Sequence, residues 1–291
     1  MRLHLIDGTY ELYRAHFAPR PGHLDASGRD MKATVGIVAS LLALLHDTAE
    51  AVTHIAVAFD NPIRSFRNDL YAGYKSDEGV PPELLSQFDA AEDAVRAIGV
   101  TVWSMREYEA DDALASGARQ FRDRVEQVRI MTPDKDLGQS LHADRVVQVD
   151  RRQQRVINES AFRAERGFGP GSMPDFLALS GDSADGFPGL PGFGKKTAAA
   201  LIGAYQHLER IPANANEWTV KLRGAQQLAA TLAEHHADAL LFRNLATLVD
   251  TVDLGCSFDD LEFRGVPRDR YERWCDELHV ERLKTVPRRW Q

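Results

Sequence analysis

The chain has 291 residues, of which 44% are hydrophobic and 27% are charged, and its formal net charge is −8. This length and composition are typical of a globular protein with a substantial core. No apolar run approaches the roughly 18 residues of a membrane span, and the run at residues 3–6 is too short for a signal peptide. We therefore predict a cytoplasmic protein without membrane contact. The acidic total argues against a simple nucleic-acid-binding protein.

The first 150 residues alternate between short apolar runs and segments of helical periodicity. The runs predict strands at residues 3–6, 54–59, 100–103, 128–132 and 145–149. Helices are predicted at residues 31–50, 82–98 and 109–121. Such alternation indicates an α/β fold with a mainly parallel central sheet flanked by helices.

The composition changes after about residue 165. Glycine and proline cluster between residues 167 and 194, and helices are predicted at residues 195–205 and 225–248, with no strong strand candidate. We therefore predict an α/β domain over residues 1–165, with an arch region at about 75–90, and a helical lobe over residues 166–255 packed on it. The C-terminal segment, residues 256–291, carries no signal that assigns a role.

Acidic residues follow three of the predicted strands. Asp7, Asp60 and Asp134 each come at or just after a strand end, and parallel sheets bind ligands beyond the carboxyl ends of their strands. Together with Asp136 and two further groups they make a set of nine carboxylates in five groups: Asp7; Asp60; Glu109, Asp111 and Asp112; Asp134 and Asp136; Asp182 and Asp185. Setting these nine acids against the net charge of −8 leaves the rest of the chain close to neutral. The acidic total is then no obstacle to DNA binding.

Carboxylates that converge in a cleft repel one another unless a cation lies between them. A site rich in carboxylates and without histidine or cysteine suits Mg²⁺ or Mn²⁺ better than Zn²⁺. Each acidic group alone has another explanation, since Glu109 and its neighbours could cap a helix and Asp134 could form a turn. The five groups together favour a metal site.

Five ordered motifs carry a resemblance to a known family. They are residues 60–75 with Phe66-Arg67 and Tyr74-Lys75, residues 108–112, residues 132–137, residues 179–189 and residues 192–198. They resemble the 5′ nuclease domain of bacterial DNA polymerase I and its relatives, the flap endonucleases. The resemblance covers about residues 3–249, and because no segment resembles a polymerase we expect the stand-alone form of this nuclease.

The resemblance implies a 5′-3′ exonuclease and structure-specific flap endonuclease. Such an enzyme hydrolyses DNA phosphodiesters by a two-metal mechanism and leaves a 5′-phosphate and a 3′-hydroxyl. Carried over by motif, one Mg²⁺ or Mn²⁺ would be held by Asp7, Asp60, Glu109 and Asp111. The second would be held or oriented by Asp112, Asp134, Asp136, Asp182 and Asp185. The expected partners are 5′ flaps, nicks or 5′ ends of DNA, bound by a monomer.

Several basic and aromatic residues also match the family. Lys75 and Arg67 match active-site cations that offset charge on the scissile phosphate. Tyr74 is interpreted either as a base-stacking residue or as a packing residue. Arg14 matches a family arginine near the first motif, with a solvated surface position as the alternative.

The motif at residues 192–198 resembles the family's helix–two-turn–helix, a DNA-binding element similar to a helix-hairpin-helix. Its expected contact residues are Gly192, Gly194, Lys195, Lys196 and Thr197. A nucleotide-binding loop would need serine or threonine directly after Gly194-Lys195, where this chain has Lys196. The resemblance also suggests a K⁺ ion at this element.

The chain departs from the family's motifs in two places, and three alternative functions are open to comparison. Gly186 stands where many relatives have asparagine, from which we expect a looser loop, and Asp77 and Glu78 make the arch region acidic. The first alternative is a non-catalytic DNA-structure-binding paralogue of the same family. The others are a ribonuclease of the related PIN-like fold, which is usually shorter, and an Asp-x-Asp phosphatase, which Thr9 excludes.

Overall fold

A six-stranded sheet lies at the centre of the N-terminal part of the chain. The computed structural model describes all 291 residues. The strands are β1 (Arg2–Asp7), β2 (His54–Asp60), β3 (Thr101–Met105), β4 (Gln127–Met131), β5 (Val146–Asp150) and β6 (Arg155–Ile157). Their order is β3-β2-β1-β4-β5-β6, and all neighbours are parallel except β5 and β6. The mainly parallel sheet is confirmed. The antiparallel β6 was not predicted, because its three residues are largely exposed and form no apolar run.

Helices cover both faces of the sheet. They are α1 (Gly8–Phe17), α2 (Lys32–Leu45), α3 (Arg67–Leu70), α4 (Pro82–Leu85), α5 (Phe88–Ala97), α6 (Ala110–Phe121) and α7 (Glu159–Arg166). One face packs on α1, α2 and α5, and the other packs on α6. Alternate residues of β2 point to the two cores, so that Val57 joins the first and Ala58 the second. Burial on both faces explains why these strands are continuous apolar runs.

In the sheet domain, three differences between the predicted and the observed helices have a clear structural cause. Helix α1 was not predicted, because it begins directly after β1 without a loop: Asp7 ends the strand and also caps the helix. The helix predicted at residues 31–50 ends at Leu45. The one predicted at residues 82–98 is divided into α4 and α5 by a turn at Ser86 and Gln87.

The helical lobe follows the sheet domain. It consists of α8 (Met173–Ser180), α9 (Lys195–Tyr205), α10 (Ala225–Glu234) and α11 (His236–Ala246), with α8 packed on both α9 and α11. No strand of the sheet comes from this part of the chain. The helix predicted at residues 225–248 is interrupted at His235. None of the helices combines the length and hydrophobicity that crossing a bilayer requires.

The two parts of the chain are joined by hydrogen bonds. The Gln139 side chain donates to the carbonyl of Ala246 (2.9 Å) and accepts from the amide of Leu248 (3.2 Å). Ser116 on α6 donates to the carbonyl of Val249 (3.0 Å). The lobe is therefore packed on the sheet domain rather than tethered by a linker.

The C-terminal segment returns to the sheet domain. It contains α12 (Arg268–Glu277) and α13 (Glu281–Lys284). Tyr271 is fully buried in the same core as α2 and α5, and its hydroxyl donates to the carbonyl of Leu283 (2.9 Å). The terminal Trp290 packs under the Arg268 guanidinium (4.3 Å to the ring centre). This segment completes the core of the sheet domain and is not a free tail.

We expect Tyr271→Ala to lower the free energy of unfolding by about 3–5 kcal/mol, because it removes a large side chain from a packed core. Urea unfolding followed by circular dichroism measures the change. Leu24→Ala is the control, since Leu24 is 62% exposed and its replacement should change stability by no more than about 0.5 kcal/mol. Equal stability of the two variants would mean that the C-terminal segment does not belong to the core.

Candidate metal centre and DNA-binding element

The ends of three adjacent strands bring acidic side chains together. β1 lies between β2 and β4, so Asp7, Asp60 and the turn that holds Asp134 are neighbours at one sheet edge. Asp7 accepts hydrogen bonds from the amide of Tyr10 (2.8 Å) and the hydroxyl of Thr132 (2.9 Å). Asp60 accepts from the amide at the first residue of α6 (2.8 Å). These bonds hold the carboxylates toward one another.

The pKa values show how strongly these carboxylates repel. Burial, together with the charges of the nearby Asp60 and Asp134, raises the pKa of Asp7 to about 7. Burial also raises the pKa of Asp111 well above its ordinary value, again with Asp134 and Asp7 as charged neighbours. The same cause raises the pKa of Asp60. Like charges are therefore held in a poorly solvated cleft, an arrangement that favours a bound cation.

A second carboxylate cluster lies beside the first. Asp136, Asp182 and Asp185 offer oxygen atoms that all lie within 4.8 Å of one another. Asp136 is 7% exposed, and its Oδ1 accepts no hydrogen bond. Burial, together with the neighbouring Asp134, raises the pKa of Asp136 to about 8. The donor set consists only of carboxylate oxygens and includes an unsatisfied one, so it fits a hard divalent ion.

A tight loop after α8 positions Asp182 and Asp185. Gly181 and Gly189 both have positive φ (+76° and +70°), and a Cβ on Gly189 would lie 2.3 Å from the amide nitrogen of Gly181. Only glycine permits this approach of two backbones. The amide and carbonyl of Asp182 exchange hydrogen bonds with those of Phe187 (2.9 and 3.1 Å). The loop is therefore a fixed platform for both carboxylates.

The expectation that Gly186 loosens this loop is wrong. Gly186 has a φ of +84°, and a Cβ there would lie 2.1 Å from the carbonyl oxygen of Gly73. Next to this contact, the amide of Lys75 donates to the carbonyl of Asp185 (3.0 Å). Gly186 thus allows the acidic loop to lie directly against the segment that carries Lys75.

Two lysines lie among the carboxylates. Lys75 Nζ is 2.7 Å from Glu109 Oε2 and 3.2 Å from Asp185 Oδ1. Burial lowers the pKa of Lys75, but Glu109 and Asp185 outweigh it and raise the pKa well above its ordinary value. Lys135 pairs with Asp182 and lies 3.4 Å from Asp136 Oδ1. Sequence analysis did not single out Lys135, although it stands between Asp134 and Asp136.

Glu109 is more fully engaged than the neighbouring aspartates. It caps the N-terminus of α6, and Ser65 donates to its Oε1 (2.7 Å) while Lys75 occupies its Oε2. Burial raises its pKa, but Lys75 and Arg67 outweigh burial and lower it. Glu109 therefore holds Lys75 in place, and both of its oxygens already have partners in the protein; its role as a metal ligand stays a prediction.

The structure contradicts the predicted roles of Arg67 and Asp112. Both are buried, and they form a bidentate ion pair of 2.7 and 2.8 Å. The remaining donors of Arg67 face the carbonyls of Leu245 (2.8 Å) and Thr247 (2.9 Å) at the end of α11 and Oε1 of Glu109 (3.2 Å). Arg67 therefore joins the two lobes and has no donor left for a phosphate. Asp112 faces this arginine and lies outside the group of acids available to a metal.

Tyr74 and Arg14 are also held by the protein. Tyr74 is 4% exposed within the core of the helical lobe, so the packing alternative describes it and no ring face is free for a base. Arg14 pairs with Glu11 and donates to the hydroxyl of Ser40 (2.7 Å), with 38% of its side chain exposed. A DNA contact by Arg14 stays a prediction.

The predicted DNA-binding element forms the start of α9. Gly192 has a φ of +82°, and Gly194 is the N-cap residue without a side-chain cap. The first-turn amides of a helix have no partner inside it and carry partial positive charge. Lys195 and Lys196 are exposed, whereas Thr197 is half-buried. This geometry suits an anion such as a DNA phosphate.

Comparisons with known proteins agree with this architecture. A family model described as the N-terminal resolvase-like domain of 5′-3′ exonuclease matches residues 2–167. A second, described as the C-terminal SAM fold of 5′-3′ exonuclease, matches residues 168–269. The 5′-3′ exonuclease of Bacillus subtilis is 31% identical over 295 residues, which is 99% of this chain and 95% of that protein.

Two further relatives show a shared segment and a shared fold. The DNA polymerase I of Mycobacterium leprae is 34% identical over 287 residues, or 97% of this chain. The chain spans only 31% of the length of that polymerase. A structure of phage T5 5′-exonuclease with bound zinc ions superposes with a TM-score of 0.64 at 16% identity, covering 96% of this chain and 99% of the phage protein.

We expect Arg67→Met to lower the free energy of unfolding by about 3–5 kcal/mol, because Asp112 would stay buried without its charge partner. Arg155→Met is the matched control, since Arg155 and Glu165 are both about half exposed (47% and 45%) and such pairs contribute less than about 1 kcal/mol. Chemical denaturation measures both. Normal stability together with lost DNA cleavage would restore Arg67 as an active-site cation.

In the metal-free protein we expect the thermal midpoint to rise as the pH falls from about 9 to about 6. Asp136 and Asp7 have pKa values of about 8 and about 7 in the folded protein, against about 4 in an unfolded chain. The folded state therefore binds more protons in this range, so acidification stabilises it. Calorimetry in EDTA measures the midpoint, and Asp136→Asn should show a smaller rise. A midpoint that falls on acidification contradicts the repulsion described above.

Proposed function

Since the chain belongs to the 5′-3′ exonuclease family, we propose that it hydrolyses DNA phosphodiesters as a metal-dependent 5′-3′ exonuclease and structure-specific flap endonuclease. The products would be a 5′-phosphate and a 3′-hydroxyl. The observation that carries the proposal is the convergence of acids from three strand ends, α6 and the loop after α8 beside Lys75. The names of the Bacillus subtilis and phage T5 proteins support the same activity.

The carboxylates divide into two groups that would each hold a divalent ion, Mg²⁺ or Mn²⁺. The first group is Asp7, Asp60 and Asp111, and the second is Asp136, Asp182 and Asp185. Asp134 contributes to the raised pKa values of Asp7, Asp111 and Asp136, which supports a role for it next to both groups. Bound divalent ions polarise the phosphodiester and lower the pKa of water, the chemistry that this hydrolysis requires.

Lys75 is the chain's own cation for the reaction. Its side chain is 28% exposed, and its ammonium group is fixed by Glu109 and Asp185. Its raised pKa keeps it charged at any working pH. A positive charge fixed before the reaction stabilises charge that develops on a phosphate oxygen without having to reorganise. Glu109 is then a positioning residue for Lys75 rather than a metal ligand.

The start of α9 would hold the DNA away from the cut. Its free amides and the Lys195 and Lys196 side chains can bind backbone phosphates without reading sequence, and a K⁺ ion at the Gly192 turn belongs to the same proposal. We propose a monomer that acts on 5′ flaps, nicks or 5′ ends. The exposed Asp77 and Glu78 in the arch region would steer a phosphate backbone only weakly.

Cleavage of a 5′-labelled flap duplex in Mg²⁺, Mn²⁺ or EDTA tests the proposal. We expect cutting near the junction with either metal and none in EDTA. Asp136→Asn should abolish cutting in Mg²⁺ yet leave the DNA dissociation constant in EDTA nearly unchanged, because without a divalent ion this carboxylate has no role in binding phosphates. The matched double variant Lys195→Ala/Lys196→Ala should raise the dissociation constant but cut at a normal rate when saturated.

Tight DNA binding without cutting in either metal would contradict the nuclease proposal. It would favour the alternative, a DNA-structure-binding member of the family without catalytic activity. Equal losses of binding and cutting in Asp136→Asn would remove the metal role of that residue.

A further inference from the structure

Lys135 lies at a boundary between two parts of the molecule. Its ammonium group pairs with Asp182 and lies 3.4 Å from Asp136, so it partly neutralises the cluster of Asp136, Asp182 and Asp185. The same side chain also lines a cavity whose walls include Asp182 and Lys195. About a third of the Lys135 side chain is exposed, so it is not locked into the core.

The cavity has the chemistry of an anion site. It has a volume of about 390 Å³ and lies between the loop that carries Asp182 and the start of α9. Three cations line it, Lys135, Arg166 and Lys195, against the single carboxylate of Asp182. Arg166 and Lys195 form no ion pair with any carboxylate of the chain. Lys195 is the first residue of α9, so the positive end of that helix faces the same space.

We propose that this cavity is a phosphate subsite for the DNA strand, and that Lys135 is shared between it and the carboxylate cluster. Without a divalent ion, Asp136 and Asp182 retain Lys135. When a divalent ion neutralises those carboxylates, the ammonium group is released and binds the phosphate beside Arg166 and Lys195. This inference rests on the proposed function, and it makes metal binding and capture of the DNA backbone mutually dependent.

The physical basis is a competition between two counter-charges. A lysine ammonium is a compact point charge on a flexible stem, and it pairs with both carboxylate and phosphate oxygens. The three carboxylates repel one another, so whichever cation binds them more tightly excludes the other. A divalent ion carries twice the charge of Lys135 and takes several oxygen ligands at once.

DNA binding with and without a divalent ion tests the proposal. Flap-DNA dissociation constants are measured by fluorescence anisotropy in EDTA and in Ca²⁺, with gels to show that the DNA stays intact. Lys135→Met should leave the constant in EDTA unchanged and raise it about tenfold in Ca²⁺, the effect of one charged hydrogen bond. In Ca²⁺, the slope of the logarithm of the DNA-binding constant against the logarithm of the salt concentration should become shallower in Lys135→Met, by the amount expected for the loss of about one phosphate contact.

Three further variants make the result specific. Lys195→Met should weaken binding in both conditions, because Lys195 is not retained by carboxylates. Lys284→Met is the matched control, since Lys284 also lies between two acids, Asp276 and Glu281, but on α13; it should change neither constant. Lys135→Arg should bind as the wild type does, which guards against a folding defect in the methionine variant.

An equal effect of Lys135→Met in EDTA and Ca²⁺, or no effect in Ca²⁺, overturns the proposal. These measurements do not depend on cleavage. A metal-dependent effect in a protein that never cuts DNA would therefore support the subsite while rejecting the nuclease function. Normal DNA cleavage without a metal-dependent effect of Lys135→Met on DNA binding would support the nuclease function and reject the subsite.

Discussion

The repulsion between buried carboxylates at one edge of the sheet is the constraint on which the rest of the structure depends. Burial and like charges raise the pKa values of Asp7, Asp60, Asp111 and Asp136. Such an arrangement destabilises the protein in isolation and persists only if the fold over-determines it. The parallel strands do this, because β1, β2 and β4 are fixed in register and cannot move their ends apart. A cation bound among the carboxylates would relieve this repulsion, so the arrangement favours cation binding.

Three sets of contacts hold the acidic site to the helical lobe. The Arg67–Asp112 pair fixes the end of α11 to α6, and the Gly186–Gly73 contact fixes the acidic loop to the segment that carries Lys75. The lysines Lys75 and Lys135 then bridge acids that come from different elements. Each set of contacts lies within or next to a family motif, yet we assign no metal-ligand role to the arginine, the glycines and the lysines that form these contacts. Part of each motif thus serves to align the parts of the site.

Much of the fold and of the site could be predicted from the sequence. The buried parallel strands are continuous apolar runs, and their carboxyl ends must meet at one edge, so the convergence of Asp7, Asp60 and Asp134 follows from pattern alone. The structure separates neighbours that a motif groups together. Asp111 and Asp112 are adjacent in sequence, but successive residues on a helix point about 100° apart. One faces the acids and the other faces Arg67.

Other features depend on contacts that a sequence does not show. Tyr74 and Arg67 match active-site residues by motif, but Arg67 is held by the end of α11, more than 160 residues further along the chain. Tyr74 is buried in the core of the helical lobe. The break at His235 has no proline or glycine to mark it, and α1 follows β1 without a turn. Lys135 was overlooked because a lysine between two aspartates resembles simple charge balance.

The central claim is that the convergent carboxylates bind two divalent ions. Anomalous diffraction from crystals soaked in Mn²⁺ tests it most directly, because it locates each ion independently of activity. The account predicts two peaks, one among Asp7, Asp60 and Asp111 and one among Asp136, Asp182 and Asp185, with the second lost in Asp136→Asn. Crystals that show no Mn²⁺ at these acids, with Lys75 and Lys135 still paired to them, would contradict the account.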